Sequence, residues 1–388
     1  MKKTVAILGS TGSIGTSTLS VLSKNKNFEV ILLSANNNIN KLYNQAIKFK
    51  VKNVIVENKK KFYENRVKFK KKKINLYLGL NNIRRILKKK IFYTVNSISG
   101  IDGLNPTLDI IPFSKNILIA NKESIICGWS LISKKLKIYK TKFIPIDSEH
   151  FSIWKLLKGE NIHTIDKIFL TASGGPFLNK NINNLSNIKP KFALKHPNWK
   201  MGKKISIDSS TMMNKVFEFI EAKKIFDLKK KELGIIVHPS SFIHAIIYLK
   251  GGLIKFLAHE TDMKIPIASA LDIKLKNSRS FNLNIDKINK SKFYFVTDKK
   301  FPLLSILKII PEKSSYFETI LITINDNLVN KYLKGIINYK SIYSNLLLFM
   351  KKPYFKKYYT LKPKDIYDIK NMIKITNKYL DKNFKHYA

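Results

Sequence analysis

Val5-Ala6-Ile7-Leu8-Gly9-Ser10-Thr11-Gly12-Ser13-Ile14-Gly15 is the stretch whose reading decides how this chain folds. Four consecutive apolar residues fit a short strand buried on both faces. Gly9, Gly12 and Gly15 follow as Gly-x-x-Gly-x-x-Gly, and Thr16–Ser23 reads as a helix. Strand, glycine turn and helix together make a phosphate cradle: glycines let the backbone approach an anion, and the helix N–H groups face it. Val30-Ile31-Leu32-Leu33 supplies the next strand, as a βαβ unit requires. Working outward, the alternation continues through Val54-Ile55-Val56, Ile117-Leu118-Ile119-Ala120 and Phe143-Ile144-Pro145-Ile146. The expected class is α/β, with an N-terminal Rossmann-like, doubly wound parallel sheet over residues 1–147. A glycine motif alone is a weak signal. Its place straight after the first strand favours dinucleotide binding over a mere tight turn.

A chain of 388 residues exceeds one typical core. Residues 148–272 read as a central α+β catalytic domain, with strands at Ile235-Ile236-Val237 and Phe242–Ile247. Residues 273–300, rich in Lys, Asn and Ser, read as a linker, and residues 301–388 as a C-terminal helical bundle. Ile320, Ile324, Leu328 and Leu333 carry the helical period there. No apolar run is long enough to span a bilayer. The stretch after Met1-Lys2-Lys3 is too short for a signal peptide. The lone Cys127 excludes an intramolecular disulfide, fits a reducing cytoplasm and reads as a core residue. The net charge is +46, yet arginine occurs only at Arg66, Arg84, Arg85 and Arg279, so 72 − 4 leaves 68 lysines. Guanidinium is the preferred bidentate group for phosphate and guanine. Its scarcity points to a solvated lysine surface rather than to specific nucleic-acid binding.

Two polar segments suit a divalent cation beside a phosphate, although strand-end acids capping a loop explain the first, taken alone, equally well. Asp147-Ser148-Glu149 ends a strand, and alternation predicts that its two acids project to one side. Asp208-Ser209-Ser210-Thr211-Met212-Met213-Asn214-Lys215, with Glu218 and Glu221, predicts a helix capped by Asp208 or Ser209. Asn214, Glu218 and Glu221 then share one face, and an anion at the helix N-terminus gains about 0.3–2 kcal/mol. Clustered carboxylates repel unless a cation joins them, and an oxygen-only set favours Mg²⁺ or Mn²⁺. An amphipathic helix with a solvated stripe explains the Glu and Lys equally well. It explains the Ser-Ser-Thr-Met-Met-Asn run poorly. Two loop-like stretches, Ser173-Gly174-Gly175-Pro176 and His196-Pro197-Asn198-Trp199, lie between the segments.

These residues carry a family resemblance. In order, Gly9–Gly15, Ala120-Asn121-Lys122-Glu123-Ser124, Pro145–His150, Thr171–Phe177, His196–Trp199 with Met201-Gly202, Asp208–Lys215 and Asp262-Met263 are similar to 1-deoxy-D-xylulose 5-phosphate reductoisomerases across essentially the whole chain. The resemblance implies NADPH-dependent conversion of 1-deoxy-D-xylulose 5-phosphate to 2-C-methyl-D-erythritol 4-phosphate for isoprenoid synthesis, by a homodimer. It implies Asp147, Glu149 and Glu218 as ligands of one Mg²⁺ or Mn²⁺, and Lys122, Glu149 and His196 as catalytic groups. Ser148, Ser173, His196, Trp199, Ser209, Asn214, Lys215, Glu218 and His238 would bind substrate, with His196, Trp199 and Met201 in a lid. Cofactor would be bound by Gly9, Ser10, Thr11, Gly12, Ser13, Ile14 and Gly15, by Asn36, Asn37 and Asn38, by Asn121, Lys122 and Glu123, and by Gly202 and Met263. His150, His163, His244, His259 and His386 are assigned no role.

The chain departs from the family pattern at four places. Asn36-Asn37-Asn38 lacks the usual glycine and basic residue after the second strand. Phe151-Ser152 replaces a small polar pair, Val216-Phe217 a Gly-Leu pair, and His259-Glu260-Thr261 a Gly/Pro-containing turn. Two alternatives stand beside the family reading. One is a metal-independent Rossmann sugar or semialdehyde dehydrogenase. The other is a basic RNA-associated non-enzyme that uses the aromatic and lysine residues of Lys351–Tyr359.

Overall fold

In the computed structural model, residues 2–275 and 285–384 are described, and they fall into two compact units. The first comprises residues 2–151 and 262–275, the second residues 152–261 and 285–384.

The first unit is organised by seven strands: β1 (Lys3–Leu8), β2 (Phe28–Ala35), β3 (Asn53–Val56), β4 (Asn75–Leu78), β5 (Ile91–Asn96), β6 (Ser114–Ile119) and β7 (Lys142–Pro145). They pair in the order β4-β3-β2-β1-β5-β6-β7, every pair parallel. Helices cover both faces of such a sheet, so its strands carry unbroken apolar runs, and Val5 to Leu8 are fully buried. The expected parallel sheet is therefore present. Strand order reverses between β1 and β5, and the glycine turn leaves β1 at that switch point, where open α/β sheets bind ligands. After leaving this unit, the chain returns to it at Asp262, and the helix Lys264–Ala270 packs on the helix Ser13–Leu22.

The second unit holds a five-stranded sheet: β8 (Ile165–Ala172), β9 (Leu233–Val237), β10 (Ile243–Leu249), β11 (Ile254–Ala258) and β12 (Tyr294–Phe295). Its order is β11-β10-β8-β9-β12. Only β8 and β9 run parallel, and the long crossover between them carries the Ser173, His196 and Asp208–Glu221 segments. The stretch expected as a linker adds the helix Ile285–Asn289 and the edge strand β12, while residues 276–284 lie outside the described set. Helices Phe317–Leu333, Tyr339–Lys351 and Ile366–Asn383 pack together as the expected bundle, with Ile320, Ile324 and Leu328 fully buried. Cys127 is buried, as a core residue should be.

Candidate active site

The glycine loop is shaped by contact. A Cβ at Gly15 would stand 2.5 Å from Ser10 Cα and 2.6 Å from Gly9 O, so the helix starts closer to the turn than any side chain permits. Ser10 is buried and locked: its hydroxyl bonds Gln45 Oε1 at 2.8 Å, and Gln45 Nε2 returns to Ser10 O at 2.9 Å. Gly12 and Ser13 stay open to solvent, and Thr11 is half-buried, at the start of the ten-residue helix Ser13–Leu22. An exposed turn and free helix N–H groups fit the pyrophosphate of a dinucleotide. Asn121 caps the helix Lys122–Ile138 by accepting from Ser124 N at 2.5 Å, which sets Lys122 in the first turn.

Lys122 reaches Asp147, with Nζ 2.9 Å from Oδ2. Asp147 and Glu149 are not on a strand end as expected. β7 stops at Pro145, and Asp147 caps the helix Ser148–Leu156, with Phe151 N bonded to Asp147 O at 2.8 Å and Glu149 N to its Oδ1 at 3.2 Å. An aspartate ahead of a helix prefers capping to continuing a ladder. Glu149 therefore sits in the first helical turn. Sequence reasoning missed His150. It is fully buried and donates from Nδ1 to Asp147 Oδ1 at 3.0 Å, and the i, i+3 spacing across a helix start was the available signal. Burial alone would raise the Asp147 carboxyl, but Lys122 and His150 outweigh it and hold the group well below the usual carboxylate range. It is an anion at neutral pH.

In the second unit the helix expected after a cap at Asp208 or Ser209 starts at Met213 and runs to Ile225, and a separate helix, Lys203–Ser210, precedes it. Ser210 and Thr211 hydroxyls bond back to Ile207 O at 2.7 and 3.2 Å, ending the first helix by competing for its carbonyls. Met212 then takes a left-handed turn at φ 67°, and the second helix starts. Asp208 and Ser209 are consequently not caps. Asp208 is buried inside the first helix, accepting from Asn325 Nδ2 at 2.8 Å. Asn214 and Glu218 do share a face, with Asn214 Nδ2 2.5 Å from Glu218 Oε1, and Lys215 pairs with the other carboxylate oxygen. Glu218 and Glu221 are 1% and 2% exposed, which rules out a solvated stripe.

Ser173 and His196 meet: His196 Nε2 lies 3.0 Å from Ser173 Oγ. His196 Nδ1 accepts the backbone N–H of Asn198 at 3.2 Å and of Trp199 at 3.0 Å, so in the neutral ring the proton is on Nε2. Burial, helped by the Lys215 charge, pushes the His196 pKa down to about 4. Ser173 Oγ therefore accepts from His196 and from Gly175 N at 3.1 Å, and its own O–H remains to be donated. Gly175, at φ +66°, presses against Ser209: a Cβ there would stand 2.9 Å from Ser209 O. The unit thus gathers Ser173, His196, Ser209, Asn214, Lys215 and Glu218. Trp199 lies edge-on to His244 at 6.1 Å, and Asn198 fastens the same loop to Pro239 O at 2.6 Å. His238 is used differently. Nδ1 bonds Lys292 O at 3.0 Å, Nε2 accepts from Ser240 at 2.8 Å, and the ring stacks on Phe293. None of these partners is a candidate site residue.

Asp147, Glu149 and Glu218 each offer oxygen alone, the donor type that suits a hard divalent cation. The aromatic run of the RNA alternative is only partly available, because Phe355 is fully buried and Tyr359 OH bonds Met350 O at 2.8 Å, while Tyr354 is exposed. Among the described residues no helix is long and apolar enough to cross a membrane.

Comparison with known proteins agrees with this chemistry. The family model described as 1-deoxy-D-xylulose 5-phosphate reductoisomerase matches residues 5–128, and the models of its C-terminal domains match residues 143–226 and 259–378. The 1-deoxy-D-xylulose 5-phosphate reductoisomerase of Pelagibacter ubique is 47% identical over 376 residues, 96% of this chain and 97% of that one. The Wolbachia pipientis enzyme of that name is 38% identical over 346 residues, 88% of each chain. A crystal structure of DOX-P reductoisomerase in complex with NADPH, fosmidomycin and magnesium superposes with TM-score 0.91 at 30% identity, covering 100% of both chains. The Zymomonas mobilis enzyme in complex with NADPH gives TM-score 0.88 at 27% identity over 97% of each chain. This chain belongs to the 1-deoxy-D-xylulose 5-phosphate reductoisomerase family.

Proposed function

We infer that this chain is an NADPH-dependent oxidoreductase that rearranges and reduces 1-deoxy-D-xylulose 5-phosphate to 2-C-methyl-D-erythritol 4-phosphate with a divalent cation, in isoprenoid precursor synthesis. One observation carries the assignment of the site. On a single buried turn of the helix Met213–Ile225, Asn214 and Lys215 flank Glu218. An ammonium suited to phosphate beside a carboxylate suited to a metal supports the reading.

Asp147, Glu149 and Glu218 would hold Mg²⁺ or Mn²⁺, which supplies Lewis-acid polarisation of the substrate's carbonyl and hydroxyl oxygens. NADPH, held by the Gly9–Gly15 loop with Asn36, Asn37, Asn38, Asn121, Glu123, Gly202 and Met263, supplies hydride. The remaining work falls to the chain. Ser173 donates its hydroxyl proton to a phosphate oxygen, and Lys215 places a charge beside it. Ser209 and Asn214 add neutral donors. His196 stays neutral and keeps Ser173 oriented. Lys122 keeps Asp147 ionised, and Ser148 orients substrate next to it. Trp199, on the loop fastened by Asn198, covers the substrate and excludes water from the aldehyde that must accept hydride.

The finer assignments of assembly and location belong here as well. Tyr248, Ile254, Phe256 and Phe295 are exposed on one face of the five-stranded sheet, and a second copy of this chain suits that apolar surface. The lone buried cysteine suits the cytoplasm.

The test is loss of NADPH absorbance with 1-deoxy-D-xylulose 5-phosphate, first with Mg²⁺ or Mn²⁺ and then with chelator. Oxidation that needs the metal supports the assignment. Turnover that survives chelation returns the chain to the metal-independent dehydrogenase class.

A further inference from the structure

β2 ends at Ala35 and runs into Asn36, Asn37 and Asn38, all exposed. At this point of a dinucleotide fold a carboxylate reads the ribose hydroxyls of NADH, or a cation accommodates the 2′-phosphate of NADPH. This chain has neither among the three asparagines. Two of them are engaged with their own loops: Asn38 Oδ1 accepts from Lys41 N at 3.1 Å as a helix cap, and Asn37 Oδ1 accepts from Asn58 at 2.8 Å.

The cation comes from one turn later. Lys41 lies in the first turn of the helix Ile39–Lys48, and its ammonium donates to Thr11 O at 2.9 Å, inside the glycine loop. Its charge is held between that loop and the end of β2. Among the described residues no carboxylate pairs with it, and an ammonium has three donors, of which Thr11 takes one. The lysines across the corner are placed differently, since Lys61 is paired with Glu64 at 3.2 Å and Lys60 faces the same acid at 4.0 Å.

We propose that Lys41 is the residue that selects NADPH over NADH in this chain, by donating to the adenosine 2′-phosphate from its seat on the glycine loop. The assignment rests on the reading of that loop as the NADPH site. It replaces the missing basic residue at Asn36–Asn38 with one supplied by the following helix.

Direct binding tests it. The full chain, Lys41→Ala, Lys41→Gln and Lys59→Ala are titrated with NADPH and with NADH, following nicotinamide fluorescence and without substrate. Lys41→Gln keeps a donor for Thr11 and removes only the charge. Both Lys41 variants should lose about tenfold or more in NADPH affinity, the size of a charge-assisted hydrogen bond, with NADH affinity within about twofold of the parent. Lys59→Ala should keep the parent's preference. An equal loss for both nucleotides would mean that Lys41 only holds the loop, and overturns the proposal. So would an unchanged preference in Lys41→Gln, or a preference lost in Lys59→Ala alone. A parent chain that binds neither nucleotide overturns the glycine-loop reading itself, an outcome distinct from the others.

Discussion

Ser173 has one hydroxyl proton left to donate. Two donors, His196 Nε2–H and Gly175 N–H, fill its acceptor sites, so its proton points to a third partner. Ser173→Ala removes a hydrogen bond to a charged group, worth about 1.5–3 kcal/mol. The expected outcome is a KM for the phosphorylated substrate raised at least about tenfold with a smaller change in kcat. An unchanged KM would remove Ser173 from the phosphate set. His196 adds a pH signature. Its folded pKa, pushed down to about 4, lies below the ordinary value near 6.5, so the folded state disfavours its protonation. The stability it contributes is present above about pH 6.5 and is lost as pH falls through about 4. The urea midpoint of the parent should therefore drop across that window, and His196→Asn should flatten part of the drop. At this scale the sequence was legible where spacing is local, as for Asn214 and Glu218. It was silent on His150, whose role depends on where a helix begins, and on the tautomer of His196, which is set by two backbone amides.

Elements rather than residues explain why the Asp208–Glu221 segment differs from a simple amphipathic helix. Ser210 and Thr211 stop one helix, Met212 turns the chain at φ 67°, and a second helix opens beside Lys215. The Ser173 loop is pressed against this junction at Gly175, which only glycine occupies without strain. Gly175→Ala combines a left-handed backbone with a methyl 2.9 Å from Ser209 O, and should cost about 1–3 kcal/mol of stability. Because the methyl displaces Ser209, the melting temperature should fall and KM should rise together. A variant with parental Tm and KM would show that the two loops do not constrain each other. The run Ser-Ser-Thr-Met-Met-Asn signalled something other than a solvated helix, and its poor helix propensity was the readable part. The break itself came from side-chain bonds to carbonyls that composition does not reveal.

At the scale of the whole molecule, five strands of the parallel sheet were legible because both faces of that sheet are buried, leaving unbroken apolar runs such as Val5–Leu8. β4, with no buried residue, β5, whose run is interrupted by Thr94 and Asn96, and β12, a two-residue edge strand, left no such run. The return of the chain at Asp262 to the first unit was also hidden, since no composition shift marks it. The family assignment gives the chain one reaction, metal-dependent rearrangement with NADPH reduction. What separates that reaction from every simpler dehydrogenation is the carbon skeleton of its product. The decisive measurement is the ¹³C spectrum of the product made from labelled 1-deoxy-D-xylulose 5-phosphate with NADPH and Mg²⁺. The account predicts the branched skeleton of 2-C-methyl-D-erythritol 4-phosphate, and a straight-chain reduced sugar phosphate would contradict it.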